Sequence, residues 1–210
     1  MNKTFARNYG GAIYIDSKNS DIQIDGLVQN QSSALNMMGG VIHLENAKSI
    51  NVSNSDFSQY HSPSGSCISS VGFNTQIIIS DSKFQEHVEF QFPNKTQLLN
   101  STSIGTYGVI YITDAANVAF SQNAFLNNYQ KKYGGVVYIR NSSFQDFGSN
   151  YTRSIAVYGG AIYLEEKSHI ELKNITIEYS TDISGPPNME QFITKVITKM
   201  NLILSFFISR

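Results

Sequence analysis

The 210-residue chain has one cysteine, no tryptophan and four prolines, and only 15% of its residues are charged. The lone Cys67 excludes an internal disulfide and any zinc centre built from several cysteines. Lys and Arg number 15 against 16 Asp and Glu, for a net charge of -1. Nucleic-acid binding and polybasic attachment to a membrane both require clustered positive charge, so this balance argues against them. Long hydrophobic runs are missing as well. Residues 1–10 contain no apolar stretch of the kind a secretory signal needs, so the start is expected to be internal to a longer protein. Near the other end, Met200 to Ile208 is apolar over nine residues, well under the roughly 20 that span a bilayer as a helix. Membrane association is therefore expected only through flanking sequence. The length suits one domain with a real core.

What the chain has in quantity is Asn, Ser, Gly, Ile and aromatic rings, the last supplied by 12 Tyr and 13 Phe. They fall into repeats. Tyr9-Gly10-Gly11-Ala12-Ile13-Tyr14-Ile15 returns as Gly39-Gly40-Val41-Ile42-His43-Leu44, Tyr107-Gly108-Val109-Ile110-Tyr111-Ile112, Tyr133-Gly134-Gly135-Val136-Val137-Tyr138-Ile139 and Tyr158-Gly159-Gly160-Ala161-Ile162-Tyr163-Leu164. A degenerate copy lies at Gly65-Ser66-Cys67-Ile68. With origins at 11, 40, 66, 108, 135 and 160, the intervals are 29, 26, 42, 27 and 25 residues. The long interval carries an insertion at about residues 85–104.

A second signature is an apolar-x-apolar triplet with a further apolar residue seven positions after its first member. It reads Ile50, Val52, Phe57; Ile77, Ile79, Phe84; Val118, Phe120, Phe125; and Ile170, Leu172, Ile177. In the first copy Ile22 and Ile24 are followed less regularly by Leu27 and Val28, and the fifth, with Phe144 soon after Gly135, is expected to lack its middle strand. Alternating β-branched residues broken by Asn, Ser, Asp and Gly read as short strands and turns. A unit this small cannot close its own apolar face, so the units must stack. The expected fold is all-β, a right-handed parallel β-helix of about six coils over residues 9–184. Residues 185–210 form a tail, with a short cap helix predicted from the spacing of Met189, Phe192, Ile193, Val196, Ile197, Met200 and Leu204. A truncated membrane-proximal segment is the other reading of that tail.

Two places after each origin stand Ile13, Ile42, Ile68, Ile110, Val137 and Ile162, an aliphatic ladder expected to face inward. One place further stand Tyr14, His43, Ser69, Tyr111, Tyr138 and Tyr163, expected to face solvent. The glycine pair is expected at a corner of positive φ or close backbone packing.

The Gly-Gly-Ala-Ile at 10–13 and 159–162, its variants at 39–42 and 134–137, and the Phe-x-x-Asn at 120–123 and 125–128 resemble the GGAI-type repeats of polymorphic outer-membrane proteins and related right-handed β-helix surface proteins. Large families of similar repeat proteins in ciliated protists are close in style. The resemblance covers residues 9–180 and implies a pectin-lyase-like β-helix in a surface or secreted, adhesive protein. It implies no particular ligand.

Catalytic signals are weak. Asp16 and Glu45 occupy the same repeat position in adjacent coils, and paired carboxylates on one surface are what glycoside hydrolysis needs. Nothing else converges there, and solvated turn acids are the plainer reading. His43, His61, His87 and His169 share no ligand-like spacing, no cofactor motif is present, and Cys67 reads as a small core filler. The distinctive feature is the column Tyr14, His43, Tyr111, Tyr138 and Tyr163, a candidate surface for a protein or carbohydrate ligand. Sequons at Asn30, Asn51, Asn94, Asn100, Asn141, Asn150 and Asn174 are candidate N-glycosylation sites that favour a secretory route. The expected function is thus a non-catalytic cell-surface or extracellular repeat module. A carbohydrate-active β-helix and an incomplete gene product are the alternatives.

Overall fold

The computed structural model describes residues 3–72, 75–86, 95–101, 104–115, 117–183 and 204–207. They form a parallel β-solenoid of six coils, numbered here from the glycine corners at 10, 39, 65, 108, 134 and 159. Each coil contributes one strand to each of three sheets. The first sheet holds Ile13–Asp16, Ile42–Glu45, Ile68–Val71, Ile110–Thr113, Val137–Arg140 and Ile162–Glu165. The second holds Asp21–Asp25, Ser49–Ser53, Gln76–Ser80, Asn117–Ser121, Ser143–Phe147 and His169–Lys173. The third runs from Thr4–Ala6 through Val28–Ala34, Asp56–His61, Lys83–Gln85, Ala124–Leu126 and Asn150–Thr152 to Thr176–Glu178. The inserted segment includes a short helix, Lys95–Asn100.

Register follows the ladders expected from the repeats. Ile13, Ile42, Ile68, Ile110, Val137 and Ile162 are successive partners, and all but the end residue Ile13 are fully buried. In the third sheet Gln29, Phe57, Phe84, Phe125, Tyr151 and Ile177 align. Strands about 4.8 Å apart bring such side chains into stacking distance. Phe57–Phe84 and Phe84–Phe125 ring centroids are both 5.0 Å apart, and Phe125–Tyr151 are 4.8 Å apart. Burying each of these rings stabilises the fold by roughly 2–3 kcal/mol.

The corners explain the glycine and asparagine. In coil 2, Gly39 has φ 66°, while a Cβ on its neighbour Gly40 would lie 1.9 Å from Ser66 O of the next coil. One glycine of the pair supplies the left-handed turn and the other the close approach. After the second sheet every coil turns through one left-handed residue, Gly26, Asn54, Asp81, Gln122, Gly148 and Asn174 in order. Asn and Asp tolerate that conformation better than other side chains. Beside it runs a ladder of side-chain caps, in which the backbone N–H groups of Leu27, Ser55, Ser82 and Asn123 donate to Ser55 Oγ, Ser82 Oγ, Asn123 Oδ1 and Ser149 Oγ, each at 3.1 Å. Polar backbone at a buried corner is thereby satisfied from coil to coil.

Three expectations need correction. Coil 5 has its middle strand: Phe144 pairs with Val118 and Ile170, and Tyr151, seven residues on, fills the place of Phe125. Asp146 at the second inward position hid the pattern. It is buried and accepts hydrogen bonds from Ser149 Oγ at 2.6 Å and Tyr151 OH at 2.5 Å. In coil 1 the inward residue is Gln29, whose Nε2 donates to Thr4 Oγ1 at 3.2 Å. At the tail, Leu204 is not helical. Leu204–Phe207 is a strand running antiparallel to His169–Leu172, where it pairs the backbone edge that coil 6 would otherwise leave open. The rest of the expected helix, residues 189–203, lies outside the described residues.

Candidate functional site

The outer face of the first sheet carries more aromatic rings than the column expected from the repeats. The residue before each glycine corner adds a second column: Tyr9, Met38, Ser64, Tyr107, Tyr133 and Tyr158 are bridged or paired in that order. Sequence reasoning passed over it, although a Tyr preceding Gly recurs in four copies. The two columns touch. Down them, Tyr107–Tyr133 and Tyr133–Tyr158 stack at 5.5 and 5.3 Å, and Tyr111–Tyr138 and Tyr138–Tyr163 at 5.0 and 5.8 Å. Across them, Tyr133 and Tyr163 are 4.6 Å apart and Tyr107 and Tyr138 5.3 Å. Coils 4 to 6 thus present six tyrosines as one cluster. A smaller group of Tyr9, Tyr14 and His43 lies on coils 1 and 2, with ring centroids 4.6 to 5.8 Å apart. Coil 3 separates the two with Ser64 and Ser69.

The column expected to face solvent is unevenly exposed. Tyr14 is 49% exposed, but Tyr138 is 3% and His43 0%. They point out of the solenoid and are covered by neighbours in the second column, Tyr107 and Tyr133 over Tyr138 and Tyr9 over His43. Acids anchor both groups. Tyr138 OH donates to Glu165 Oε2, and burial together with that carboxylate pushes the Tyr138 phenol well above its ordinary range. His43 lies 3.1 Å by Nε2 from Glu45 Oε1 and 2.5 Å by Nδ1 from Ser69 Oγ. Burial lowers its pKa, partly offset by Glu45, so it is a neutral imidazole donating from Nε2 and accepting at Nδ1. Tyr14 OH also reaches Glu45, at 3.5 Å.

The acid pair at Asp16 and Glu45 is in register on adjacent strands. Glu45 is engaged by His43 and Tyr14, and Asp16 accepts from Asn46 Nδ2 at 3.3 Å. Among the described residues no group of three or more His, Cys, Asp or Glu is placed to hold a metal ion. Cys67 is fully buried and its thiol is pushed up by that burial. Inside the solenoid, where coil 3 leads into the insertion, Glu86 is 4% exposed. Its carboxylate accepts from Tyr129 N at 2.9 Å and Gln130 Nε2 at 3.2 Å, and burial raises its pKa to about 8. Nothing in the periodicity singled this acid out.

Of the sequon asparagines, Asn30, Asn100, Asn150 and Asn174 are exposed. Asn51 and Asn141 are half-buried, Asn51 with its Oδ1 enclosed and Asn141 donating to Asp114 Oδ1 at 2.8 Å. Asn94 and His87 lie outside the described residues. Comparison of the chain with protein-family models, with curated proteins and with solved structures finds no match.

Proposed function

We propose that this chain is a non-catalytic β-solenoid module of a cell-surface or extracellular protein, and that the tyrosine face of its first sheet docks a protein or carbohydrate ligand. The observation carrying this reading is the concentration of Tyr107, Tyr111, Tyr133, Tyr138, Tyr158 and Tyr163 on one side of three coils. Tyrosine joins a large apolar body to a polar tip, and such residues anchor recognition surfaces. The likeness of the repeats to GGAI-type surface β-helices, and the sequons, support the location. Among the described residues no helix is long and apolar enough to cross a membrane.

Ring geometry narrows how a ligand meets this face. Parallel rings with centroids 5.0 to 5.8 Å apart overlap, so within a column each ring spends its faces on its neighbours. A ligand meets ring edges and hydroxyls. A flat platform for face-on stacking of sugar rings is therefore restricted to the ends of the columns, which favours a protein partner over a polysaccharide.

The test is a screen of the full chain against an oligosaccharide array and a displayed peptide library, repeated with the Tyr111→Ala/Tyr163→Ala double variant. Selected ligands are expected to bind the variant at least tenfold more weakly while its circular dichroism is unchanged. Ligands indifferent to the double variant, or no ligand in either class, would overturn the proposal. The in-register pair Asp16 and Glu45 favours the enzymatic reading instead. Chain-length reduction of a polysaccharide, abolished by Asp16→Ala or Glu45→Ala, would establish it.

A further inference from the structure

We infer that the six-tyrosine cluster of coils 4 to 6 is a site of one-electron oxidation, at which adjacent coils become joined by dityrosine. Three observations carry this. Neighbouring centroids in the cluster lie 4.6 to 6.2 Å apart, so an electron vacancy formed on any ring has a van der Waals path to the others. Tyr138, at the centre, donates its phenolic hydrogen bond to Glu165, a carboxylate able to take the proton that a neutral phenol must lose on oxidation. The rings belong to strands locked in register, Tyr111 opposite Tyr138 and Tyr138 opposite Tyr163, so two radicals formed there are held beside each other.

The chemistry balances with a one-electron oxidant such as the ferryl state of a peroxidase. Each of two phenols gives one electron to oxidant and its hydroxyl proton to a base, Glu165 in the case of Tyr138. The radicals join by a carbon–carbon bond between ring positions ortho to the oxygens. The two displaced ortho protons pass through water to the phenolic oxygens, restoring aromaticity. Two hydrogen atoms are lost overall. Tyr133 with Tyr163, at 4.6 Å the shortest contact, and Tyr111 with Tyr138 are among the pairs that bridge successive coils. Tyr60 and Tyr151 are sealed in the core, and Tyr179, 63% exposed, directly follows the last strand of the third sheet, Thr176–Glu178.

Dilute full-length chain is oxidised with a peroxidase and hydrogen peroxide, then digested and mapped by mass spectrometry. Dityrosine fluorescence is expected in monomer, with a yield independent of protein concentration. The cross-links are expected to join peptides containing Tyr107, Tyr111, Tyr133, Tyr138, Tyr158 or Tyr163. Tyr138→Phe and Glu165→Gln should each slow cross-linking several-fold with the thermal midpoint little changed, and Tyr179→Phe should leave it alone. Cross-links found only in dimers, or mapped to Tyr179, or a rate unmoved by both Tyr138→Phe and Glu165→Gln, would overturn the inference. Ligand binding by the same face is scored separately and can fail without affecting this result.

Discussion

The aromatic ladder inside the solenoid and the tyrosine columns outside it share one geometry and differ in everything that geometry does not set. Phe57, Phe84 and Phe125 stack at 5.0 Å, and so do Tyr111 and Tyr138. Both distances follow from the strand repeat of about 4.8 Å, which fixes the spacing of any side chain repeated in register. The inner rings are almost wholly removed from water, whereas most of the outer ones remain partly exposed. Burial scales with area removed from water, so the inner ladder carries stability and the outer columns carry surface chemistry.

The sharpest way to break that contrast is Phe84→Ala. Phe84 is fully buried with a ring on either side, so truncation leaves a cavity in the middle of the ladder. A loss of about 4 kcal/mol is expected, read from chemical denaturation. Glu86→Gln tests the buried polar edge of the same interior. Its folded pKa of about 8 exceeds the ordinary 4.5, so between those values the unfolded chain releases a proton that the folded chain keeps. Stability contributed by this group is complete below about pH 4.5 and falls as pH rises towards 8. At pH 8 the Gln variant is expected to be more stable than the parent by on the order of a few kcal/mol, with the advantage vanishing near pH 4. Equal pH profiles for the two proteins would refute the assignment.

Coil 5 sharpens the comparison from within the core. Tyr151 sits in the ladder stacked on Phe125, yet its hydroxyl bonds Asp146. Tyr151→Phe keeps the ring and removes a donor from a buried acid, which costs roughly 1–3 kcal/mol. Adding Asp146→Leu converts the coil to the apolar pattern of its neighbours and is expected to recover that loss or more. A double variant less stable than Tyr151→Phe alone would show that the acid stabilises the coil.

The ladders were legible in sequence because the side-chain period of a strand is two and the coil length, the insertion aside, varies little. Ile42, Ile68 and Ile110 needed only counting. Reading failed where a polar residue stands at an inward position, since periodicity assigns polarity to the outside. Gln29 and Asp146 are both cases, each partnered by a hydroxyl on an adjacent coil or turn that no local pattern reveals. The second tyrosine column was overlooked because it lies at the corner, where alternation does not apply, and His43 was placed in water because the ring covering it, Tyr9, belongs to that column. Leu204, expected on a helix, was misplaced for a different reason. Leu204–Phe207 pairs with a strand more than 30 residues earlier, and an open edge offers partners that helical spacing cannot anticipate.

The smallest effect belongs to the outer columns. Tyr133 touches Tyr107, Tyr138, Tyr158 and Tyr163, with Lys132 Nζ 4.8 Å from its centroid. If ring contact alone governed stability, Tyr133→Ala would rival Phe84→Ala. Because Tyr133 is only half-buried, and exposed aromatic and cation–π contacts contribute about 0.5–1 kcal/mol, a loss near 1 kcal/mol is expected by denaturation. A loss approaching that of Phe84→Ala would mean that the tyrosine face is a second core, and the assignment of the two columns to surface chemistry would fall with it.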